Sequence, residues 1–340
     1  MNGINTDSSW INDPQARLIR KNAFDASLAV GTAKFNRATG RLSSTSRPFL
    51  WAIDQETGLI RADLVQARNC PVCGTPPERG LFVKDGFRHV KCSTCGLIYV
   101  SLVLKDEVMD KYWREELAWS GVLTSSPQME LDRLKFKYGL DLVADRLDGR
   151  RLLDVGSGPG GFVRLADELD WDATALELNE TSSRQLAAEG YKVIVKHLEL
   201  SDLGSEGFDL ISFWEVLEHL KNPAEVLASA KRLLAPGGLI LIMVPNAGSL
   251  VTRLLHEKSN TFGGHSHLNH FNAESLTLLC QNAGLQILEI ETVITELGTI
   301  NNHLAFEDPY SGQAPDFYSL ITPEVIHKNM WGSRLLALAA

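Results

Sequence analysis

The 340-residue chain has no long hydrophobic run and no leader-like N-terminus. No stretch approaches the roughly 20 apolar residues that a membrane-spanning helix needs, which argues against an integral membrane protein. The polar segment from Met1 to Trp10 lacks the apolar core of a secretory signal. No internal repeat or low-complexity tract is visible. With 44% hydrophobic and 22% charged residues, the composition is typical of a soluble protein, and we expect a cytoplasmic location.

Positive charge is scarce in the C-terminal part of the chain. The first 140 residues carry 19 Lys and Arg against 15 Asp and Glu, whereas the remaining 200 carry 14 against 27. An acidic surface repels the phosphate backbone of nucleic acids. We therefore do not expect a nucleic acid to be the main substrate of the C-terminal part.

Cysteine is also sparse, but four of the five cysteines form a pattern. Cys70 and Cys73 make one CxxC pair and Cys92 and Cys95 a second, with 18 residues between the pairs. Four thiolates at this spacing predict a closed tetrahedral zinc site, which is structural because no coordination position stays open. Disulfides are the alternative, which a reducing cytoplasm disfavours. Cys280 lies in an apolar helical stretch and is predicted to be a buried core residue.

Composition and periodicity divide the chain into four parts. These are an arm without an assigned role (1–65), the four-cysteine module (66–103), a helical linker or lid (104–149) and an α/β domain with an insertion at 300–332 (150–340). Within the module, apolar stretches flank Asp85-Gly86, which predicts a β-hairpin.

Strand and helix patterns alternate from residue 150 onward. Strands are predicted at 151–155, 173–177, 192–195, 208–213 and 238–244. Helices are predicted at 160–169, 180–189, 222–235 and 273–283. This alternation is typical of βαβ units, in which helices cover both faces of a parallel sheet. Later strands at 285–293 and 333–339 would complete the sheet.

A glycine run after the first of these strands is the most informative motif. Residues 153–160, Leu-Asp-Val-Gly-Ser-Gly-Pro-Gly, read as a strand that breaks into three alternating glycines. Glycines let the backbone turn sharply and approach a ligand, which then faces the amides of the next helix. About 20 residues later, Glu177 ends the second strand, where a carboxylate accepts hydrogen bonds from ribose hydroxyls. Dinucleotide enzymes share this device, so the pair alone does not identify a cofactor.

Two later segments separate these possibilities. Residues 208–220 (FDLISFWEVLEHL) and 234–242 (LAPGGLILI) resemble the fourth strand with its loop and the Pro-Gly-Gly turn of class I S-adenosylmethionine-dependent methyltransferases. The resemblance covers roughly residues 130–300, in the family's order. It implies a Rossmann-like, mostly parallel, seven-stranded α/β sheet with helices on both faces, beside a small zinc-ribbon-like β module.

The resemblance also implies roles for single residues. Four match the loop that holds the methionine portion of S-adenosylmethionine: Asp154, Gly156, Gly158 and Gly160. Glu177 matches the ribose-binding acid. Leu198 and Glu199, with His197, match the segment beside the adenine, where the family often carries Asp. Trp214 matches a position that lines the cofactor, and its ring could pack on the adenine.

Glu215, Glu218 and His219 form an ExxEH motif past the fourth strand. On a helical start they would share one face. Two carboxylates and an imidazole could bind a divalent metal, as such a triad does in the quinone-biosynthesis O-methyltransferases that this region resembles. Alternatively, Glu218 or His219 is a general base beside the methyl acceptor. A third interpretation is structural, with a helix-capping acid and a packed histidine.

Three histidines crowd one short segment of the domain: His265, His267 and His270. If the segment is extended, His265, His267 and Asn269 share a face. In the related enzymes this loop reaches over the acceptor pocket, so His267 or His270 is predicted to line that pocket and take the acceptor's proton. A zinc site and a structural role are the alternatives.

These motifs predict an enzyme that aligns S-adenosylmethionine with an acceptor O, N or C atom. The expected acceptor is a small biosynthetic intermediate, with a nucleotide-linked sugar first because sugar C-methyltransferases carry a similar four-cysteine module. Some rRNA guanine methyltransferases carry an N-terminal zinc module as well, so one alternative is an RNA methyltransferase that reads RNA through it. The other is a non-catalytic S-adenosylmethionine-binding protein. The sequence makes no prediction of oligomeric state.

Overall fold

The structure, a computed structural model, describes residues 9–24, 49–115, 126–197, 207–297, 300 and 321–340. Leu198, Glu199 and most of the predicted insertion lie outside the described residues. Within these ranges, no helix is long and apolar enough to cross a membrane.

Strands and helices alternate along the described chain. The strands are β1 (Val65–Ala67), β2 (Gly80–Lys84), β3 (Phe87–Lys91), β4 (Ile98–Val100), β5 (Leu102–Leu104), β6 (Arg151–Val155), β7 (Asp172–Leu176), β8 (Lys192–Ile194), β9 (Phe208–Trp214), β10 (Leu234–Pro245), β11 (Asn269–His270), β12 (Ile287–Val293) and β13 (Arg334–Ala339). The helices with defined bounds are α1 (Asp106–Glu115), α2 (Ser126–Ala144), α3 (Gly161–Glu168), α4 (Glu180–Ala188), α5 (Pro223–Leu233), α6 (Leu250–Leu255), α7 (Ala273–Asn282) and α8 (Pro323–Lys328).

A seven-stranded sheet forms the centre of the fold, in the order β12-β13-β10-β9-β6-β7-β8. Five neighbouring strands of this sheet, β10, β9, β6, β7 and β8, are parallel to one another. Strand β13 is antiparallel to both of its neighbours, β10 and β12. The chain winds outward from β6 to β8 and then returns to β9 beside β6. Ligands of such sheets bind at this reversal, at the carboxyl ends of the strands. The Rossmann-like, mostly parallel sheet that the sequence predicts is confirmed.

Alternating side chains place one hydrophobic core on each face of this sheet. Leu153 and Ile211 belong to the core that α5 and α7 cover, whereas Leu152 and Leu210 belong to the core that α2 and α3 cover. All four side chains are fully buried. This follows from the two-residue period of a strand, because neighbouring residues point to opposite faces.

The Pro-Gly-Gly segment was predicted as a turn between a helix at 222–235 and a strand at 238–244, but it lies within β10. Helix α5 ends at Leu233, and β10 begins at the next residue. The pairing of β10 with β9 shifts register between Leu234 and Leu239, and Gly237 has a positive φ of 78°. The segment is therefore an irregular start of the strand, which glycine makes possible.

A second sheet, in the order β11-β4-β3-β2, carries the four-cysteine module. Strands β2 and β3 form the predicted hairpin, with φ of 51° at Asp85 and 84° at Gly86. Positive φ at both central residues is what a type I′ turn requires. Strand β11, which belongs to the histidine segment, pairs with β4. The module and the C-terminal part of the chain thus share one sheet.

The N-terminal residues 14–24 form a helical stretch that docks on the domain. Phe24 packs edge-on against Tyr138 of α2. Arg17 forms an ion pair with Glu289 and another, 2.8 Å long, with Glu291 of β12. This part of the arm therefore supports an edge of the central sheet.

Candidate active site

The glycine run forms the loop between β6 and α3. Gly156, Gly158 and Gly160 have positive φ of 70°, 53° and 80°, which side chains with a Cβ rarely adopt. A Cβ at Gly156 would lie 2.8 Å from Val216, and one at Gly160 2.2 Å from Leu186. Glycine is therefore required both for the turn and for close packing. Because Gly160 directly precedes α3, the free amides of that helix lie beside the loop.

Glu177 lies directly after β7 and is 9% exposed. Its carboxylate accepts a 2.6 Å hydrogen bond from the amide of Gly158 and another of 2.6 Å from the amide of Asn179. Burial raises the pKa of Glu177, and these amides oppose the rise. Each carboxylate oxygen keeps a second lone pair, so Glu177 could still accept hydrogen bonds from a ribose.

Asp154 points into the sheet. It is 2% exposed, and its Oδ1 accepts a 2.8 Å hydrogen bond from Oγ of Ser212 on β9. Burial raises the pKa of Asp154 to about 7. The side chain thus joins β6 to β9, and its predicted role toward the methionine portion stays a prediction.

The adenine side of the predicted cofactor site is described only up to His197, whose Nε2 lies 3.9 Å from Oδ1 of Asp110. The indole of Trp214 packs against Phe136 and Phe162, with ring centroids 4.9 and 5.2 Å away. It therefore belongs to an aromatic cluster of α2 and α3, and its stacking on adenine stays a prediction.

The predicted common helical face of Glu215, Glu218 and His219 is wrong. Glu215 has a positive φ of 57°, and the following residues form only a short 3-10 turn. Its carboxylate forms an ion pair with Arg334 of β13 and lies 3.7 Å from Nζ of Lys135. Burial would raise the pKa of Glu215, but these two cations hold it well below its usual range. The carboxylate of Glu215 is thus paired with two cations and is not among the grouped ligand atoms of Glu218, His219 and His267.

Glu218, His219 and His267 converge instead, and we name them the Glu-His-His cluster. One possible ligand atom from each lies within 4.8 Å of the others. Oε1 of Glu218 is 4.0 Å from Nε2 of His219, and the rings of His219 and His267 are 4.9 Å apart. Glu218 is 1% exposed, and neither carboxylate oxygen has a hydrogen-bond partner among the described residues.

Backbone carbonyls orient both imidazoles of this cluster. Nδ1 of His219 is 2.9 Å from the carbonyl oxygen of Ser266, and Nδ1 of His267 is 3.0 Å from that of Thr261. Because a carbonyl only accepts, each Nδ1 carries the proton and each Nε2 keeps a lone pair.

The electrostatics of the cluster favour neutral groups. Burial lowers the pKa of His219, lowers that of His267 to about 3, and raises that of Glu218 well above its usual range. The cluster therefore offers two unprotonated nitrogens beside a carboxyl group. Such a set could take a proton from an acceptor or bind a divalent metal.

The predicted extended face of His265, His267 and Asn269 is also wrong, because residues 264–266 turn. The amide of His267 donates to the carbonyl oxygen of Gly263 across this turn. The ring of His265 lies 5.9 Å from that of Phe49, and His265 is not one of the three residues of the Glu-His-His cluster. The turn separates side chains that an extended strand would align.

His270 lies in the sheet of the four-cysteine module. It is 2% exposed, and its ring is 5.0 Å from His89 and 4.9 Å from Phe262. It is not one of the three residues of the cluster. Its role as a base stays a prediction.

Helix α1 contacts the cluster through Trp113, and the sequence did not predict this residue as part of the site. The ring of Trp113 is 5.1 Å from His219, and its carbonyl oxygen accepts a 3.1 Å hydrogen bond from Nδ2 of Asn179. Lys221, two residues past His219, forms an ion pair with Asp106 at the start of α1. The adjacent aromatic residues Tyr112 and Trp113, on a short helix after the module, are the sequence feature that could have indicated this contact.

The four cysteines of the module converge as predicted. Sγ of Cys70 is 3.5 Å from that of Cys95, Sγ of Cys73 is 3.4 Å from that of Cys92, and all four atoms lie within 4.8 Å of one another. Thiolates around a tetrahedral zinc at about 2.3 Å lie about 3.8 Å apart. The four residues therefore fit a structural zinc. Cys280 is fully buried in the core, as predicted.

Comparison with known proteins agrees with this geometry. Residues 128–290, just under half of the chain, match the family described as "Methyltransferase domain". The match contains the glycine loop, Glu177 and the Glu-His-His cluster. Residues 128–290 are thus identified as a methyltransferase domain, as the sequence predicts.

Relatives of this methyltransferase include two proteins named ubiquinone biosynthesis O-methyltransferase. The one from Caulobacter sp. (strain K31) is 33% identical over 29% of this chain, which covers 42% of that protein. The one from Xanthomonas euvesicatoria is 27% identical over 50% of this chain and 77% of that protein. A solved methyltransferase from Archaeoglobus fulgidus is 19% identical over 62% of this chain and 93% of its own, with a TM-score of 0.45.

Proposed function

We propose that this methyltransferase transfers a methyl group from S-adenosylmethionine to a small-molecule biosynthetic intermediate beside the Glu-His-His cluster. The contact between the glycine loop and the cluster segment carries the proposal. Gly156 packs so closely on Val216 that a Cβ would lie 2.8 Å from it, and Val216 is two residues before Glu218. The donor-binding loop and the proton-accepting groups therefore meet at the ends of β6 and β9.

In the proposed reaction an acceptor O, N or C atom attacks the sulfonium methyl. The methyl–sulfur bond breaks, and its electron pair stays on sulfur as S-adenosylhomocysteine leaves. The acceptor's proton passes to Nε2 of His219 or His267, which is unprotonated and faces the cluster. The positive charge of the imidazolium would favour ionisation of Glu218, whose Oε1 is 4.0 Å from Nε2 of His219, and the carboxylate would then stabilise the imidazolium.

Two observations support a small acceptor. The relatives are named for O-methylation in ubiquinone biosynthesis, and the excess of acidic residues after residue 140 disfavours RNA. The resemblance of the four-cysteine module to that of sugar C-methyltransferases supports a nucleotide-linked sugar as the first acceptor to test. No disulfide joins any of the five cysteines, which leaves four of them for zinc and suits the reducing cytoplasm that the sequence predicts.

The test begins with calorimetric titration of S-adenosylmethionine and continues with transfer of a labelled methyl group to nucleotide-linked sugars, phenolic quinone precursors and RNA. We expect binding and a small-molecule product. His219→Asn should then lower kcat by about 10²–10⁴-fold without changing donor affinity. His256→Asn, at an exposed histidine, is the matched control.

Three other outcomes of these binding and methyl-transfer experiments would contradict the proposal or favour an alternative. Absence of donor binding would overturn the proposal. Donor binding without any product favours the non-catalytic alternative, and a product on RNA alone favours the RNA methyltransferase.

A further inference from the structure

Arg68 joins three separate segments of the chain. From the start of the four-cysteine module, its guanidinium donates to the carbonyl oxygens of Val100 (2.9 Å), Lys221 (3.1 Å) and Leu268 (2.7 Å), and to Oδ1 of Asn269 (2.9 Å). All four acceptors are uncharged. The planar fork of five guanidinium donors suits such a set of acceptors.

The peptide of Leu268 lies at the centre of this arrangement. Its carbonyl oxygen accepts from Arg68 and from the amide of Val100 in the module, and its own amide donates 2.7 Å to the carbonyl oxygen of Glu218. Leu268 directly follows His267. One residue thus connects the two segments that carry the Glu-His-His cluster.

Asn269 extends the connection to the other side of the cluster. While its Oδ1 accepts from Arg68, its Nδ2 donates to the carbonyl oxygens of Leu217 (2.9 Å) and Leu220 (2.7 Å). These two carbonyls bracket Glu218 and His219. Arg68 itself donates to the carbonyl oxygen of Lys221, so the segment from Leu217 to Lys221 is held at both of its ends.

We propose that Arg68 is a positioning residue for methyl transfer, through which the four-cysteine module clamps both segments of the Glu-His-His cluster in place. The inference rests on the role proposed above for that cluster. The module then contributes to the reaction by fixing the position of the cluster. A displacement of about 1 Å at reacting groups costs about 10²-fold in rate, so a clamp of this kind would have a measurable effect.

The test follows the imidazoles directly by ¹⁵N NMR of histidine-labelled, metal-loaded protein at neutral pH. The resonances of His219 and His267 are assigned from their Asn variants. In the unmodified protein we expect both to be Nδ1-protonated. In Arg68→Met both should lose this single tautomer, and in Arg68→Lys both should change less, because an ammonium keeps the charge but not the fork.

Arg61→Lys, at an exposed arginine near Arg68, is the control and should leave both resonances unchanged. Zinc content and calorimetric affinity for S-adenosylmethionine should stay the same in all variants. Unchanged tautomers in Arg68→Lys and Arg68→Met would overturn the proposal. If Arg68→Met does not fold, Arg68→Lys decides alone.

This measurement needs no turnover, so its failure is distinct from failure of the proposed function. Once an acceptor is known, Arg68→Lys should lower kcat by about 10²-fold with an unchanged KM for the donor. A role confined to stability would lower the melting temperature and leave kcat unaltered.

Discussion

At the scale of single residues, backbone groups rather than opposite charges prepare the site. Two amides hold Glu177, and two carbonyl oxygens fix the tautomers of His219 and His267. Groups held in this way keep their orientation when no ligand is bound, which is the condition for efficient positioning. Glu215 follows the other principle, since opposite charges on Arg334 and Lys135 stabilise its carboxylate.

Glu177→Gln tests the donor site. The amide nitrogen of glutamine would face the amide of Gly158 or Asn179, so one of these buried donors would lose its acceptor. Hydrogen bonds to a charged group contribute about 1.5–3 kcal/mol, and we expect the Kd for S-adenosylmethionine to rise about 10–100-fold in calorimetry. Glu180→Gln, at an exposed acid three residues later, should leave it unchanged. Equal affinities of the two variants would contradict the assignment.

At the scale of helices and strands, local patterns predicted the elements well. Every strand and helix expected between residues 150 and 300 is present, because burial on alternate or every third and fourth residue is a local property. The site was predicted less well, because contacts between residues far apart along the chain fix the conformation of its backbone. Arg334 is 119 residues from Glu215, and the turn at residues 264–266 packs on the module. No local pattern encodes such contacts.

Asn179 connects two helices, which gives an element-level prediction. Its Oδ1 accepts from the amides of Thr181 and Ser182 at the start of α4, while its Nδ2 donates to Trp113 of α1. Asn179→Ala should lower the free energy of unfolding by about 1 kcal/mol in urea. It should also speed hydrogen exchange in α1, as measured by mass spectrometry. Asn272→Ala removes the cap of α7 alone, and similar exchange in α1 for both variants would refute the connection.

Two buried histidines, His89 on β3 and His270 on β11, predict a dependence of the free energy of unfolding on pH. Burial lowers the pKa of His89 from 6.5 to about 4 and that of His270 well below its usual value. Above pH 6.5 both folded and unfolded chains hold these groups neutral. Below it the unfolded chain binds protons that the folded chain does not, so each group costs about 1.4 kcal/mol per pH unit.

Urea unfolding at a series of pH values measures this loss. His89→Phe should flatten the decline between pH 6.5 and about 4, because one titrating group is removed while the stack with Phe82 is kept. His256→Phe, at an exposed histidine, is the control. A decline equally steep in both variants would show that other groups cause it.

At the scale of the whole molecule, the four-cysteine module is a structural part of the catalytic domain. Strand β11 lies in the module's sheet, and its neighbour His267 lies in the Glu-His-His cluster. The basic residues Arg79 and Arg88, exposed on the module, therefore belong to the same folded unit as the acidic C-terminal part of the chain. Metal binding at the four thiolates should consequently affect the stability of the entire protein, and not only of residues 66–103.

Zinc removal tests this coupling. We expect about one zinc per chain by elemental analysis, lost in Cys73→Ser or Cys92→Ser because three thiolates leave the tetrahedral site open. Metal binding contributes folding free energy, so these variants should melt at a lower temperature and their β11 amides should exchange faster. Cys280→Ala also loses a buried sulfur, yet it should keep its zinc. If the zinc-free protein kept the melting temperature and the β11 protection of the zinc-loaded protein, zinc binding would not be coupled to the stability of the rest of the chain. The module could then not hold the Glu-His-His cluster in place through Arg68.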